Sequence, residues 1–281
     1  MGKKHTVTFL SILILVCMLS ACNSEKEATN TKGIYYEKIN PKEIGLKYQP
    51  LASYRYSLLY YNGKMYSSRM NCVTSEKKEE LQLDKVIGKK LATVYGNGGV
   101  YWATEKDKLL ECTLDGELYQ VQGYEEEDRV CIYYKIDMPL QEPTYARIVF
   151  DCLNDICVYK GEELYKNRFH LEKAVSVTLR YRIEEEECFS IENNSPAVAD
   201  FVAALNDALF QKVSETEFME QEEPEFVITF EDSMGVLTEV EVYQKGYVVY
   251  RSPEDTIFLL KLDEEICSVL MEQVGGKNRE K

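Results

Sequence analysis

The dipeptide Asn62-Gly63 constrains this chain more than any other local feature. It separates two strand-like runs, 54–61 and 64–69. The tightest hairpin turn needs positive φ at both central residues, which Asn and Gly tolerate at least cost. A body that begins with such a hairpin commits to antiparallel β-structure. Tyr54, Tyr56, Leu58 and Tyr60 are expected to line one face. So many tyrosines fit half-buried sheet packing better than a sugar- or ligand-stacking platform.

The following stretches keep to the same theme. Residues 76–91 read as a short, charged, weakly helical segment with Leu81, Leu83, Val86, Ile87 and Leu91 as its apolar positions. Short strands are expected at 92–95, 100–103, 109–113, 117–122 and 129–136. Gly96-Asn97-Gly98-Gly99 lacks the Lys-Ser/Thr and helix start of a phosphate loop, so it reads as a turn. The acidic run 125–128 reads as a solvated loop. Met138 to Pro143 carries two prolines in an extended stretch, which disfavours helix and central strand and marks a domain boundary.

Beyond it, 147–152 and 156–159 read as a hairpin turning at Asn154-Asp155. Cys152 and Cys157 then face each other at a non-hydrogen-bonded position, with Cα atoms about 4.5 Å apart. That separation suits a disulfide, and this pair is the candidate bridge. A strand is expected at 174–183. Ser195-Pro196 then starts a helix to about Val213, with serine at the cap and proline in the first turn. Val198, Phe201, Val202, Leu205, Ala208 and Leu209 form its core stripe. Strands near 226–231, 236–244, 247–251 and 256–261 precede a helix from Asp263 to Val274, stopped by Gly275-Gly276. The expected fold is α+β: two β-rich parts of mainly antiparallel sheet, the second with two packed helices. The divisions are 1–21, 22–45 as a tether, 46–138 as an N-terminal β-rich domain and 144–276 as a C-terminal α+β domain.

The N-terminus has its own signature. Lys3, Lys4 and His5 precede an apolar run from Val7 to Leu19, which ends in small residues. This is the pattern of a signal peptide, and the run is too short for a comfortable transmembrane helix. Leu19-Ser20-Ala21-Cys22 closely resembles the lipobox of bacterial lipoproteins. The resemblance implies cleavage after Ala21, a diacylglyceryl group on the Cys22 thiol and a mature chain starting at Cys22. Acyl chains of the palmitate class would hold it durably on the extracytoplasmic face of the cell membrane.

Composition narrows the partners. The chain has 281 residues, 45% hydrophobic and 11% aromatic, which suits a globular body with a real core. Loss of Lys3 and Lys4 with the leader leaves 31 basic against 48 acidic side chains, a net charge of −17. Such a surface repels nucleic acid and anionic lipid head groups. Seven cysteines remain after Cys17 and Cys22 are set aside, so at least one is unpaired within a monomer.

Further segments carry a family likeness. They are Tyr61-Asn-Gly-Lys-Met-Tyr66, Val86-Ile-Gly-Lys-Lys-Leu91, Glu117-Leu-Tyr-Gln-Val-Gln-Gly-Tyr124 with Arg129, Phe150-Asp-Cys-Leu-Asn-Asp-Ile156 and Gly246-Tyr-Val-Val-Tyr250. Together they resemble a group of uncharacterised lipoproteins of Gram-positive, Clostridia-like bacteria. In that group one segment tends to read Tyr-x-Val-Lys-Gly-Tyr-Asp, where this chain has Gln122 and Glu125. These are turn-and-strand motifs, so the likeness speaks to fold and carries no catalytic residue across.

The sequence offers little to an enzyme. His170 is the one histidine of the mature chain, and its surroundings, Asn167-Arg168-Phe169, give no nucleophile context. Neither a zinc-ligand pattern nor a calcium loop is present, and no cofactor is implied. The expected role is a membrane-anchored binding or accessory module at the cell envelope, with an envelope protein or glycan as partner. The alternative is an envelope hydrolase using a carboxylate pair that the many acidic residues conceal.

Overall fold

In the computed structural model the described residues are 34–36, 57–68, 71–97, 100–103, 114–137, 142–152, 156–181, 188–213, 224–251 and 257–275. The leader 1–21, Cys22, most of the expected tether, Tyr54 and Tyr56, the strand expected at 109–113 and the turn at Asn154-Asp155 lie outside them.

The chain opens with β1 (Ile34–Tyr36), inside the stretch expected to be tether. β2 (Ser57–Tyr61) and β3 (Lys64–Ser68) form the expected hairpin, with φ 49° at Asn62 and 75° at Gly63. β4 (Cys72–Ser75) follows. The next segment makes a 3-10 turn at Lys78–Leu81 and one α-helical turn, α1 (Leu83–Val86). The helix expected over 76–91 stops there because Ile87 enters β5 (Ile87–Asn97), whose ladder to a later strand outweighs weak helical propensity. Then come β6 (Val100–Trp102), β7 (Leu114–Val121), β8 (Arg129–Ile136) and β9 (Thr144–Cys152).

These strands close on themselves. The order is β3-β2-β6-β5-β7-β8-β9, and β9 returns to β3 through Tyr66↔Cys152 and Ser67↔Asp151. β2 and β6 run parallel, so the seven-strand barrel is mixed. β4 covers the remaining length of β9. Residues of alternate parity fill the interior: Leu59, Tyr66, Leu118, Ile132, Ile148 and Phe150 are all buried there. The rings of Tyr101 and Phe150 meet edge-on, with centroids 5.8 Å apart. Register shifts between Ile87 and Ala92 bend the long β5 around the wall. Gly116 is needed where β7 passes its neighbours: a Cβ there would stand 3.0 Å from the Tyr133 carbonyl oxygen and 3.1 Å from Val94 Cγ2.

Two sequence-based divisions change. β9 pairs with β8 from Thr144 to Asp151, so 138–143 joins two barrel strands and does not separate domains. The hairpin expected over 147–159 does not form. β10 (Ile156–Val158) pairs with β1, bringing Cys157 opposite Tyr35, whereas Cys152 lies opposite Tyr66 in the barrel. A local turn signal was outcompeted by two long-range ladders.

The second part continues with α2 (Gly161–Tyr165), β11 (Ser176–Tyr181), β12 (Cys188–Ile191), α3 (Pro196–Asp207), β13 (Gln211–Val213), β14 (Phe226–Glu231), β15 (Leu237–Tyr243), β16 (Tyr247–Arg251), β17 (Ile257–Lys261) and α4 (Glu264–Gly275). Its antiparallel sheet has the order β12-β11-β14-β15-β16-β17-β13. Phe201 and Leu205 of α3 and Leu270 of α4 pack into one core with Leu179, Ile228 and Val242 of the sheet. Full burial of a side chain such as Phe201 contributes about 1.5–3 kcal/mol. Ser195 caps α3 by accepting the Val198 N–H at 3.3 Å. The helix ends at Asp207, six residues before the expected end near Val213. The Phe210 N–H donates to the Tyr159 carbonyl and the Gly161 N–H to that of Ala208, which draws 208–210 out of the helix and leaves Leu209 exposed.

The expected α+β class of mainly antiparallel sheet is therefore corrected. The molecule is mostly β, built from a closed seven-strand mixed barrel and a second, antiparallel sheet, with four α-helices among the described residues, two of them a single turn or little more. Among those residues no helix is long and apolar enough to cross a membrane.

α2 approaches α3 so closely that a Cβ on Gly161 would stand 1.8 Å from the Leu205 carbonyl oxygen. Backbone must shift to admit it, and overpacking of this kind costs about 1–3 kcal/mol. Gly161→Ala should lower the urea midpoint accordingly; an unchanged midpoint would contradict this contact.

Candidate functional site

The outer face of strands β7, β8 and β9 gathers charged, aromatic and thiol side chains. Val130, Ile132, Ala146 and Ile148 point into the barrel, so Arg129, Cys131, Tyr133, Tyr145, Arg147, Val149 and Asp151 point out. One half of this wall is covered by the hairpin between β14 and β15. Val86, Val121, Tyr124, Cys131, Val149 and Val236 form the apolar part of that seam.

Arg129 is the charged centre of the seam and is fully buried. Its Nε donates to Asp151 Oδ1 at 2.6 Å and its Nη2 to Thr238 Oγ1 at 2.7 Å. The guanidinium also lies 4.8 Å from the Tyr124 ring centroid and 4.6 Å from that of Phe169, within cation–π range on two sides. Burial works against the Arg129 charge, but Asp151 beside it holds the guanidinium protonated. Burial likewise pushes the Asp151 carboxyl above the ordinary carboxylate range, against the pull of Arg129.

Other contacts stitch the same seam. Asn71 imitates a strand neighbour: its Nδ2 donates to the Leu237 carbonyl at 2.6 Å and its Oδ1 accepts the Leu237 N–H at 3.1 Å. Arg147 Nη2 donates to the Gly235 carbonyl at 3.2 Å. Asp232 shapes the hairpin tip by accepting the N–H groups of Met234 and Val236, and it receives the Tyr124 hydroxyl at 2.9 Å. A small cavity of about 10 Å³, at most the space of one water, lies among Tyr124, His170, Asp232 and Thr238.

His170 thus joins the seam in a supporting position. It is half-buried, its ring is 5.1 Å from that of Tyr124, and its Nδ1 lies 3.0 Å from the Lys166 carbonyl oxygen. The acidic run 125–128, expected to be solvated, is partly tied down. Tyr61 donates to the Glu126 carboxylate, Tyr66 to the Glu126 carbonyl, and Asp128 pairs with Arg168 at 2.7 Å.

The candidate disulfide pair is not brought together. Cys152 is buried in the barrel wall, Cys157 is exposed on β10, and no disulfide joins them. Cys22 lies outside the described residues. Among those residues no group of three or more His, Cys, Asp or Glu side chains is placed to hold a metal ion. Sequence reading quoted Arg129 without a role and missed the seam. Its visible signal was a basic and an acidic residue at outward positions of two otherwise apolar strands.

The other half of the wall faces solvent. There Tyr119 donates to Glu117 Oε2 at 2.5 Å, and Lys90 pairs with the same carboxylate. These hydrogen bonds, first from Lys90 and then from Tyr119, hold the Glu117 carboxyl below its usual range. Burial, helped by Glu117, pushes the Tyr119 hydroxyl up to about 12.

Comparison with known proteins adds no assignment. No protein-family model matches the chain, and no curated protein sequence matches it. One solved structure, K. pneumonia MrkH in its apo state, aligns over 89% of this chain and 100% of its own at 10% identity. Its TM-score of 0.13 carries no argument about fold.

Two measurements test the seam. Removing one partner of a buried ion pair costs about 3–5 kcal/mol, whereas apolar replacement of both recovers much of it. Arg129→Met should lose about 3 kcal/mol in urea unfolding, and Arg129→Met with Asp151→Leu should regain more than half; a neutral single variant would sink the assignment. Burial also pushes the Cys131 thiol up to about 12, from an ordinary 9.0 in the unfolded chain. A raised acid pKa gives stability that is complete below pH 9 and is lost as pH rises towards 12, by about 1.4 kcal/mol per unit. Cys131→Ala should flatten the fall between pH 9 and 10, and an unchanged slope would speak against it.

Proposed function

We propose that the protein is a lipid-anchored lipoprotein of the extracytoplasmic face of the cell membrane, serving there as a binding or accessory module. The observation that carries this reading is Leu19-Ser20-Ala21-Cys22 at the end of a charged-then-apolar leader. Two acyl chains on Cys22 give attachment that one chain does not, since each buried methylene contributes about 0.8 kcal/mol. β1 begins at Ile34, twelve residues after Cys22. Twelve residues span at most about 40 Å, so the body stays near the bilayer surface. The acidic body is kept off anionic head groups by its own charge, which leaves its walls available to envelope partners.

Binding suits the fold better than chemistry does. The seam uses its ionisable groups to join the two sheets, and the accessible half of the β7–β9 wall presents tyrosines with one preorganised carboxylate. Aromatic side chains of this kind supply large contact area with a polar handle.

The test is direct. In cells fed labelled palmitate, the wild-type chain should incorporate label and partition into the detergent phase of a Triton X-114 extract. Cys22→Ser should do neither. A Cys22→Ser protein that is still processed and membrane-bound would overturn the reading.

A further inference from the structure

We infer that the solvent-facing half of the β7–β9 wall is a carbohydrate-binding platform for a neutral, hydroxyl-rich glycan chain. This deepens the binding role proposed above and rests on it.

The register defines the platform. Tyr119 of β7 is opposite Cys131 of β8, so Tyr133, two residues further on, is its diagonal neighbour. Tyr145 of β9 is opposite Lys135, which makes it the diagonal neighbour of Tyr133. All three point outward, and all three are partly exposed. Diagonal neighbours on a sheet are about 7–8 Å apart, so the row runs roughly 15 Å across three strands. Partly exposed tyrosine rings on neighbouring strands offer apolar surface to the C–H faces of sugar rings along one chain. The barrel behind it is closed and filled, which fixes the spacing.

Polar groups at the edge complete the chemistry. Glu117 accepts from both Lys90 and Tyr119, so the carboxylate is held in one place. Lys90 and Glu117 are each more than two-fifths exposed. A fixed acceptor beside a fixed ammonium donor matches the vicinal hydroxyl pairs of a sugar.

Charge decides between ligand classes. The body is strongly acidic, yet here Lys90 pairs with Glu117 and Lys135 with Asp137, and exposed Asp115 and Lys78 add one charge of each sign. The surface selects neither an anionic polymer nor a basic peptide. Large exposed aliphatic groups, the usual anchors of a protein partner, lie elsewhere: Val175, Leu209 and Val269 are not on this wall.

Lys78 refines the picture. Its Nζ lies over the Tyr133 ring, 5.1 Å from the centroid, where it competes with a stacked sugar for that ring. A single exposed lysine on a flexible stem is easily displaced, so it acts as a weak competitor.

The experiment is calorimetric titration of the full chain, solubilised in detergent, with chitohexaose and with cellohexaose. Saturable binding of at least one is expected. Tyr133→Ala and Glu117→Gln should each weaken it about three- to tenfold, the scale of one aromatic or polar contact. Lys78→Ala should bind at least as tightly as the wild type. Glu117 is exposed, so Glu117→Gln keeps the fold and carries the test if Tyr133→Ala does not. Absence of saturable binding to both sugars would overturn the proposal, as would binding indifferent to both wall variants, or crosslinking of a protein at Tyr133 in place of sugar. Cys22→Ser should bind sugar as the wild type does, so failure here leaves the lipid anchor standing, and loss of the anchor leaves the platform standing.

Discussion

Arg129 carries a charge with no access to solvent, and the elements around it make that tolerable. An isolated buried cation costs many kcal/mol, so it persists only where its charge is answered. Here Nε and Nη2 are hydrogen-bonded, while Nη1 has no hydrogen-bond partner among the described residues. Asp151 answers the charge from the neighbouring barrel strand, and Thr238 takes a further donor from the opposite sheet. Tyr124 and Phe169 close over the guanidinium with their ring faces. These partners lie far apart in the chain: β8 and β9, the loop before β8, the turn after α2, and β15. The requirement to satisfy one side chain therefore fixes the approach of the second sheet to the barrel.

The consequences run along the wall. Where the β14–β15 hairpin covers it, outward residues are Cys131, Val149 and Val121, small or apolar enough to pack. Asn71 lends its amide to the hairpin backbone because Leu237 has no strand neighbour on that side within the described residues. Beyond the hairpin the same strands turn tyrosine-rich and polar, and Glu117 is held by Lys90 and Tyr119. One pair of strands thus supplies both the joint of the molecule and an accessible binding wall. Barrel closure through β3 and β9 gives that wall a rigid backing.

Local chemistry was legible where local chemistry decides. Asn62-Gly63, Ser195-Pro196 and the bounds of β14 and β16 all follow from turn geometry, capping and period-2 patterns. What failed was whatever depends on distant partners. The prolines at 139 and 143 mark an extended connection equally well in a linker or a barrel hairpin, and only the β8–β9 ladder decides between them. Cys152 and Cys157 flank a good turn sequence, yet β1 and β3 claim their strands. Closure rests on β2–β6 and β3–β9 pairings that carry no turn signal, so a mixed barrel read as mainly antiparallel sheet. Nothing local marks Arg129 and Asp151 as a buried pair, because an outward position on a strand is usually wet; the hairpin of the second sheet keeps water from Arg129.

The central claim is that the seam makes barrel and second sheet one cooperative body. Trp102 is the chain's single tryptophan and is buried on barrel strand β6, while Cys267 of α4 is buried in the core of the second sheet. The direct measurement is equilibrium urea unfolding followed by Trp102 fluorescence and by labelling of Cys267 in parallel. Coincident transitions with one midpoint are predicted. Two separated midpoints would contradict the account, because the sheets would then unfold independently and the buried Arg129 would not join them.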